Sequence, residues 1–318
     1  MESMKAVSMH GYGSSEVLDI GDAPCPEIGA GDVLVRIAAT SVNPFDWAVR
    51  NGYLTDYYTY NFPLILGLDI SGVVEVVGSE VHDFQPGDAI FGRANPSSNG
   101  AYAEYIAVPA SQVALKPATL DFLQAAALPH VSNSAWRALY DAAGIRAGQT
   151  VLIHAAAGGV GSVGVQLAKL RGAHVIATAR AVNFEYLHSL GADEVIDYTT
   201  TRFEDVVHDV DVVLDLVGDM GDNTQTRSWK LLKPGGILAS LVQFPSPEAA
   251  ATHGVRSAFV TADVCDTLTL SEIARLIDSR QLKPIATTVY TLDEIRQAHA
   301  LSESRHVRGK IVLQIADL

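Results

Sequence analysis

The strongest constraint on the fold is a glycine-rich stretch at residues 150–172, which reads TVLIHAAAGGVGSVGVQLAKLRG. It opens with the apolar and mostly β-branched run 151–153, which predicts a strand. After the glycines, apolar residues recur at helical spacing, namely Val160, Val163, Leu167 and Leu170. The stretch therefore predicts a strand, a tight turn and a helix, as at the start of an α/β fold.

Three of these glycines, Gly159, Gly161 and Gly164, fit the spacing G-x-G-x-x-G. Because glycine has no Cβ, backbone N–H groups at the start of the helix can approach a pyrophosphate closely. The alternative is a glycine-rich turn that binds nothing, but the flanking strand and helix favour a dinucleotide site. The cofactor contacts predicted in this turn are Ala157, Gly158, Gly159, Val160 and Gly161.

The end of the next predicted strand, His174–Ala179, indicates which dinucleotide is bound. An NAD site usually has an Asp or Glu there, which accepts hydrogen bonds from the ribose hydroxyls. This chain has Arg180 instead, and a guanidinium can pair with a 2′-phosphate. We therefore predict NADPH as the cofactor, with an ordinary solvated arginine as the alternative reading of Arg180.

The composition argues against several classes of protein. The net charge is −14 over 318 residues and no run of Lys or Arg occurs, which argues against nucleic acid or an anionic membrane surface as a partner. The two cysteines, Cys25 and Cys265, indicate neither a disulfide framework nor a Cys-based zinc site, and they fit a reducing compartment. No stretch is apolar enough for a signal peptide or a membrane span, so we expect a cytoplasmic protein.

The order of predicted elements indicates two domains, as the length also does. Up to about residue 120, strand-like runs alternate with turn pairs, which predicts a mostly β, barrel-like domain. From Asp121 onward helical patterns appear, and strands then alternate with helices as in a parallel sheet. The strands predicted from there on are Val151–His154, His174–Ala179, Glu194–Asp197, Asp211–Val217, Gly236–Val242, Ala258–Thr261 and Lys310–Ile315.

Four runs resemble, in order, motifs of the medium-chain dehydrogenase/reductase superfamily: GDVLVRI from residue 31, ILGLDISGVVEVVGSEVHDFQPGDAIFG from 65, GAYAEY from 100 and AAAGGVGSVGVQLAK from 155. The closer resemblance is to the zinc-independent quinone oxidoreductases, a branch that includes zeta-crystallin. It implies a GroES-like catalytic domain at 1–127, completed by 263–318, and a Rossmann domain with a six-stranded parallel sheet at 128–262. It also implies a homodimer, for which the edge of the last Rossmann strand, near 258–261, is a candidate interface.

The positions that hold the catalytic zinc in related alcohol dehydrogenases carry a poor ligand set here. By this resemblance they correspond to Asn43, Leu68 and His130, so only one of the three protein ligands remains. We predict that no metal is bound. Without a Lewis acid on the substrate oxygen, conjugated acceptors such as quinones and α,β-unsaturated carbonyls become the favoured substrates.

Three residues are candidates for the catalytic site. Asn43 resembles a pocket asparagine of quinone oxidoreductases and could donate to the developing oxyanion, or it could cap the following turn. Tyr53 resembles a pocket tyrosine that could donate a hydrogen bond or stack on a flat substrate, and Tyr57 or Tyr58 could do this instead. His130 is either a proton donor or a structural histidine at the domain junction.

Further cofactor contacts follow from the resemblance and from the strand ends. Ser134 is expected near the nicotinamide, and Asn183, Tyr198 and Arg305 near the 2′-phosphate. The alternative readings are a surface aromatic at a strand end for Tyr198 and a solvated charge for Arg305. In such folds, dinucleotides also bind at the carboxyl ends of the fourth and fifth Rossmann strands. That argument adds Val217, Leu241 and Val242 to the predicted cofactor site.

Together these inferences favour an NADPH-dependent oxidoreductase that transfers hydride to a quinone or an enone without zinc. A methyltransferase is a rival because it also has a glycine-rich first loop, but it expects an acidic residue after the second strand and does not explain the β-rich first domain. The sequence is also compatible with two further functions. One is a non-enzymatic NADPH-binding sensor or structural protein of the same fold, and the other is one-electron reduction of quinones.

Protein purified without added metal should contain no stoichiometric zinc, because an amide, an isobutyl group and one imidazole cannot supply three zinc ligands at residues 43, 68 and 130. Mass-spectrometric metal analysis of the native protein checks this. A content of one zinc per chain would contradict it.

Overall fold

The computed structural model describes residues 2–261 and 265–318. These residues form two compact units. The first comprises 2–130, 265–280 and 284–318 and is called here the terminal unit, because both ends of the chain contribute to it. The second comprises 131–261 and 281–283 and is called the central unit.

The elements alternate as the sequence pattern indicates. The strands are β1 Ser3–Met9, β2 Asp19–Pro24, β3 Asp32–Val42, β4 Leu64–Ile65, β5 Asp69–Val77, β6 Ala89–Arg93, β7 Tyr105–Pro109, β8 Val113–Leu115, β9 Thr150–Ile153, β10 His174–Ala179, β11 Glu194–Asp197, β12 Val210–Asp215, β13 Leu232–Ser240, β14 Arg256–Phe259, β15 Thr287–Thr291 and β16 Lys310–Gln314. The helices are α1 Pro44–Arg50, α2 Phe122–Ala126, α3 Pro129–Trp136, α4 Gly159–Leu170, α5 Phe184–Leu190, α6 Thr224–Ser228, α7 Pro247–His253, α8 Thr267–Asp278 and α9 Ile295–Glu303. No helix within the described part of the chain is long and apolar enough to cross a membrane.

The terminal unit is built around β3. A seven-stranded sheet has the order β15-β16-β3-β5-β6-β8, and β7 also pairs with β3. A smaller sheet has the order β2-β1-β4. The buried side chains of β3 alternate at Val33, Val35 and Ile37 and pack with Ile70 and Ile90, which is the period of a half-buried strand. Because β16 and β5 flank β3, the carboxyl end of β3 lies next to the first residues of both.

The central unit is a parallel six-stranded sheet with the order β11-β10-β9-β12-β13-β14. Its first strand in sequence, β9, lies in the middle, and the chain winds outward from it in both directions. Residues 151–153 of β9 are fully buried, as expected for a parallel strand covered on both faces. A change in winding direction beside β9 creates the crevice where open α/β sheets bind ligands, and the glycine-rich turn begins there.

The strand predictions differ from the structure mainly at the ends. His174–Ala179 and Glu194–Asp197 are confirmed as β10 and β11. The strand predicted at 258–261 is wrong by two residues, since β14 spans Arg256–Phe259. The reason is that Gly254, with φ +65°, ends α7 abruptly and returns the chain to the sheet at once.

His154 follows β9 and is buried in the central unit. Its Nε2 lies 2.9 Å from Ser228 Oγ, which itself donates to the Thr224 carbonyl, so Nε2 carries the proton. Its Nδ1 lies 3.1 Å from the Thr178 hydroxyl and accepts from it. Burial lowers the pKa of His154 to about 4, so the imidazole is neutral in the folded protein.

Because His154 is neutral in the native state, the free energy of unfolding should fall as the pH falls. Below pH 6.5 the unfolded chain binds a proton at His154, whereas the native state binds it only near pH 4. The free energy of unfolding therefore decreases as the pH falls from 6.5 to about 4. Between pH 7.5 and pH 5 the wild type should lose about 2 kcal/mol more unfolding free energy than His154→Gln, at about 1.4 kcal/mol per pH unit. Urea titrations at both pH values measure this difference.

The matched control is His208→Gln, which replaces an exposed histidine of the same unit. It should follow the wild type at both pH values. Equal losses for the wild type and His154→Gln would show that His154 does not account for the acid sensitivity.

Candidate active site

The glycine-rich turn of the central unit leads from β9 into α4. Gly158 is the N-cap of α4, with φ −74° and ψ 178°. An added Cβ at Gly161 would lie 2.6 Å from Ala156 Cα, so only glycine fits against the backbone of the turn. Within residues 2–261 and 265–318 no side chain caps the N-terminus of α4, which leaves its first N–H groups for an anion.

Gly158 differs from Gly161 in what surrounds it. A Cβ on Gly158 would come no nearer than 3.4 Å to the Ala155 carbonyl oxygen, which is ordinary contact. The packing of the protein itself therefore does not require glycine there. A ligand that approaches the backbone would require it, and this feature fits a bound dinucleotide.

The predicted 2′-phosphate residues Arg180 and Tyr198 lie together. Arg180 directly follows β10, and its Nε donates to Tyr198 Oη at 3.1 Å. Asn183 lies close in sequence, immediately before α5, and its side chain makes no capping bond in the described structure. The structure thus presents a guanidinium and a phenol at the carboxyl edge of β10.

A carboxylate that sequence reasoning missed accompanies Arg180. Asp197 ends β11 opposite Ala179, and its Oδ2 accepts from the Ala181 N–H at 3.3 Å. The hydroxyl and N–H of Thr199, together with the Ala181 N–H and the charge of Arg180, hold the pKa of Asp197 below its usual value. The signal was present in the sequence, because the strand predicted at Glu194–Asp197 ends at this aspartate.

The carboxyl ends of β12 and β13 are joined through Asp215, which sequence reasoning also missed. Asp215 Oδ1 accepts from the N–H groups of Val217 and Gly218 at 3.0 and 2.8 Å. Its Oδ2 accepts from Ser240 Oγ at 2.8 Å, and Ser240 Oγ accepts in turn from the Val242 N–H at 3.3 Å. One buried carboxylate therefore orders the loops that carry the predicted contacts Val217, Leu241 and Val242.

The predicted nicotinamide neighbour Ser134 lies in α3, where it is buried.

Asn43 lies in the terminal unit between β3 and α1 and is buried. Its Nδ2 donates to Asp69 Oδ2 at 2.8 Å, and its Oδ1 accepts from Lys310 Nζ at 2.6 Å. Asn43 is also the N-cap of α1 and forms a capping box with Asp46, whose Oδ2 accepts from the Asn43 N–H at 2.7 Å. Both readings of Asn43, as a pocket donor and as a capping residue, therefore stay predictions.

Asp69 and Lys310 form a buried ion pair beside Asn43, with Nζ and Oδ2 3.3 Å apart. Lys310 Nζ also donates to Ser41 Oγ at 2.7 Å, and the Ser41 hydroxyl donates to Asp69. Burial opposes the charge on both groups. Lys310 and the hydrogen bonds from Ser41 and Asn43 nevertheless hold the pKa of Asp69 below its usual value, whereas burial lowers the pKa of Lys310 despite Asp69.

His130 is anchored through its backbone and ring. Its N–H donates to Asp69 Oδ1 at 2.6 Å, and its Nδ1 accepts from Arg93 Nε at 3.2 Å. Burial and the neighbouring Arg93 lower the pKa of His130 to about 3. An imidazole that is neutral at physiological pH is a weak proton donor, so the geometry favours the structural reading of His130.

Asp46 belongs to a further buried chain of polar groups. Its Oδ2 accepts from the Tyr102 hydroxyl at 3.0 Å, and Tyr102 Oη lies 3.3 Å from His299 Nε2. Arg50 can only donate, so the proton of His299 is on Nε2 and its Nδ1 accepts from Arg50 at 3.0 Å. Burial raises the pKa of Asp46 to about 6. These hydrogen bonds hold α1 in place, and with it the backbone of Asn43.

The aromatic segment after α1 leaves Tyr53 accessible. Tyr53 is 68% exposed and its ring meets Trp47 edge to face at 6.5 Å. Tyr57 is similarly exposed, whereas Tyr58 stacks on Tyr60 at 6.0 Å. Arg305, a predicted phosphate contact, lies over the Trp47 ring at 5.6 Å.

The residues at the positions related to a zinc site make other contacts in this structure. Asn43 is engaged by Asp69 and Lys310, and Leu68 contributes only buried apolar surface. Across the residues that the structure describes, no group of three or more His, Cys, Asp or Glu side chains could hold a metal ion. An ammonium group beside Asn43 would also repel a cation there.

Comparison with known proteins places this geometry in a class. Residues 29–118 match the alcohol dehydrogenase GroES-like domain, and residues 190–313 match the family described as zinc-binding dehydrogenase. The chain is 35% identical to a 2-methylene-furan-3-one reductase of Solanum lycopersicum, covering 98% of this chain and 79% of the relative. It is also 35% identical to a chloroplastic NADPH-dependent alkenal/one oxidoreductase of Arabidopsis thaliana, covering 98% and 80%.

A solved structure agrees over the whole length. The quinone oxidoreductase from Coxiella burnetii is 35% identical, with a TM-score of 0.90 over 99% of this chain and 100% of that one. The two units are therefore the GroES-like and Rossmann parts of a nicotinamide-dependent oxidoreductase. The chain belongs to the medium-chain dehydrogenase/reductase superfamily, among its quinone and alkenal/one oxidoreductases.

Gly158→Ala should separate cofactor binding from folding. The variant should keep the melting temperature of the free wild-type protein, because a Cβ fits at 3.4 Å. It should lose most of the stabilisation that NADPH gives, which follows RT ln(1 + [L]/Kd). Thermal unfolding with and without NADPH measures both quantities.

Gly161→Ala is the companion variant. Its Cβ would meet backbone, so it should lower the melting temperature even without ligand. A full NADPH-induced shift in Gly158→Ala would mean that the pyrophosphate does not approach this turn.

Proposed function

We propose that this chain is an NADPH-dependent reductase that transfers hydride to a quinone or an α,β-unsaturated carbonyl without zinc. The observation that carries the proposal is the Asn43, Asp69 and Lys310 arrangement, which offers hydrogen-bond donors where related dehydrogenases use a Lewis acid. The names of the relatives that act on alkenals, enones and quinones support the substrate class.

The preference for NADPH rests on the edge of β10. Arg180 and Tyr198 supply a cation and a hydroxyl there, which together suit a 2′-phosphate. The carboxylate of Asp197 is occupied by the N–H groups of Ala181 and Thr199 and by the Thr199 hydroxyl. These contacts hold Asp197 in the turn after β11, and the residue that directly follows β10 is Arg180. The relative from Arabidopsis thaliana is itself named NADPH-dependent.

Bound NADPH supplies the hydride, and the protein stabilises the charge that forms on the acceptor oxygen. Asn43 Nδ2 has two hydrogens, and one is used by Asp69. The second is the donor that we assign to the substrate oxygen, and such a donor contributes roughly 2.7–4 kcal/mol to transition-state stabilisation. Tyr53 is exposed and can stack on a flat acceptor.

Steady-state kinetics with a panel of quinones and enones test the proposal. We expect turnover with NADPH and weaker use of NADH. Arg180→Ala should raise the KM for NADPH by roughly 10- to 100-fold, since a charge-assisted hydrogen bond contributes about 1.5–3 kcal/mol, and it should leave the KM for NADH within about threefold.

Arg256→Ala is the matched control, because Arg256 is an exposed arginine of the same unit at the start of β14. It should leave both KM values unchanged. Equal effects of Arg180→Ala on the two cofactors would remove Arg180 from the phosphate site. Absence of turnover across the panel, despite NADPH binding, would favour a non-enzymatic NADPH-binding protein.

A further inference from the structure

We propose that the buried ion pair of Asp69 and Lys310 is a positioning device that fixes which way the Asn43 amide points, so that one Nδ2 hydrogen is always presented to the substrate oxygen. The inference rests on the proposed function, in which Asn43 is the catalytic hydrogen-bond donor. Asp69 and Lys310 act through Asn43 and are positioning residues.

An asparagine amide is nearly symmetric in shape, so packing alone does not fix its orientation. Its terminal torsion is broad and roughly two-fold, and a half-turn exchanges the oxygen and the nitrogen. An Asn43 turned the wrong way would present a carbonyl oxygen where the reaction needs a donor. The orientation must therefore be fixed by what the amide meets inside the protein.

Lys310 supplies the first half of the selection. The antiparallel register Ile311 to Val42 between β16 and β3 brings its side chain to the carboxyl end of β3. Its Nζ donates to Asn43 Oδ1 at 2.6 Å, to Ser41 Oγ at 2.7 Å and to the Val42 carbonyl at 3.1 Å. An ammonium group has donors only, so it cannot form a hydrogen bond with the Nδ2 end of the amide, which is also a donor.

Asp69 supplies the complementary half. It begins β5, the other neighbour of β3, and its Oδ2 accepts from Asn43 Nδ2 at 2.8 Å. An ionised carboxylate has acceptors only, so it excludes the Oδ1 end of the amide. A half-turn of Asn43 would place donor against donor and acceptor against acceptor at once.

The observed orientation leaves one amide hydrogen available. Among the groups that the structure describes, none accepts the second hydrogen of Asn43 Nδ2. Asp69 is itself held at both oxygens and at its carbonyl, by the His130 N–H, by the Ser41 hydroxyl and by the Thr40 hydroxyl. The two ions are thus fixed reference points for the amide.

Buried ion pairs of this kind are poor sources of stability, since well-packed apolar residues often replace them without loss. Orientational selection gives the pair a role that apolar residues could not fill. This distinction makes the proposal testable, because a merely structural pair would act on the enzyme with or without Asn43.

The experiment is a cycle of four proteins: wild type, Asn43→Ala, the charge-neutral double variant Asp69→Asn with Lys310→Gln, and the combination of all three changes. Neutralising both ions together avoids leaving one buried charge without a partner. In the wild-type background the double variant should lower kcat by at least about tenfold, against roughly 10²- to 10³-fold for loss of a whole donor. The Kd of NADPH should stay within about twofold.

In the Asn43→Ala background the same double change should alter kcat by less than about threefold, because no amide remains to be positioned. An undiminished loss there would overturn the proposal. So would unchanged kcat in Asn43→Ala itself, and in that case continued wild-type turnover would leave the proposed function standing. Ser71→Ala is the matched control, since it removes a buried hydroxyl of β5 that has no hydrogen-bond partner among the described groups, and it should keep wild-type kcat.

A second measurement does not depend on turnover. The side-chain NH₂ signals of Asn43 in ¹⁵N–¹H spectra, assigned by their loss in Asn43→Ala, should be a single sharp pair in the wild type. They should shift and broaden in the double variant, and unchanged signals would overturn the proposal. Should the double variant not fold, Ser41→Ala removes only the hydroxyl that links Lys310 and Asp69, and the same spectral change is expected in smaller degree.

Discussion

The buried ion pair of Lys310 and Asp69 is the interaction on which the structure around the carboxyl end of β3 depends. Two strands that flank β3 each contribute one charge, and both charges meet at the residue where β3 gives way to α1. The low dielectric of this place makes the pair strong, but it also makes either charge costly without the other. Asn43, Ser41 and the backbone of His130 all take their positions from it.

A different constraint governs the Rossmann side. The turn after β9 must pass so close to α4 that residue 161 has no room for a Cβ. Around that fixed point, single carboxylates order the neighbouring loops. Asp215 does so for the ends of β12 and β13, and Asp197 does so for the turn after β11. Backbone geometry thus shapes the glycine-rich turn, and hydrogen-bonded side chains shape the neighbouring loops.

Local sequence patterns predicted the parts of the molecule that depend on local physics. Two strand ranges, the glycine turn with its helix and the two-part fold are confirmed, because periodicity and glycine spacing act within a few residues. Strand ends were less accurate, as at β12, which ends where Asp215 accepts from the following N–H groups, and at β14, where Gly254 returns the chain to the sheet early. The individual site residues stay predictions.

The buried ion pair lay beyond sequence reasoning. Lys310 and Asp69 are 241 positions apart in the sequence, and no local pattern around either residue predicts that they form an ion pair. Asn43 was a candidate on sequence grounds and its role stays a prediction, but the partners of its amide could not be predicted because they follow from strand pairing. In the sequence, Asp69 is only a residue near a motif, and Lys310 is only the beginning of the last strand.

The strand register has a consequence for how the protein is made. The strand β16 pairs with β3 and carries Lys310, although β3 leaves the ribosome long before β16 does. Asp69 and Asn43 therefore have no Lys310 to contact until the Rossmann unit, which lies between them and β16 in the sequence, has been synthesised. Since an unpaired buried carboxylate is unfavourable, the terminal unit can reach its final packing only late, when the Rossmann unit has already had time to fold. The order of synthesis therefore favours a cofactor-binding half that is complete before the half that would use the cofactor.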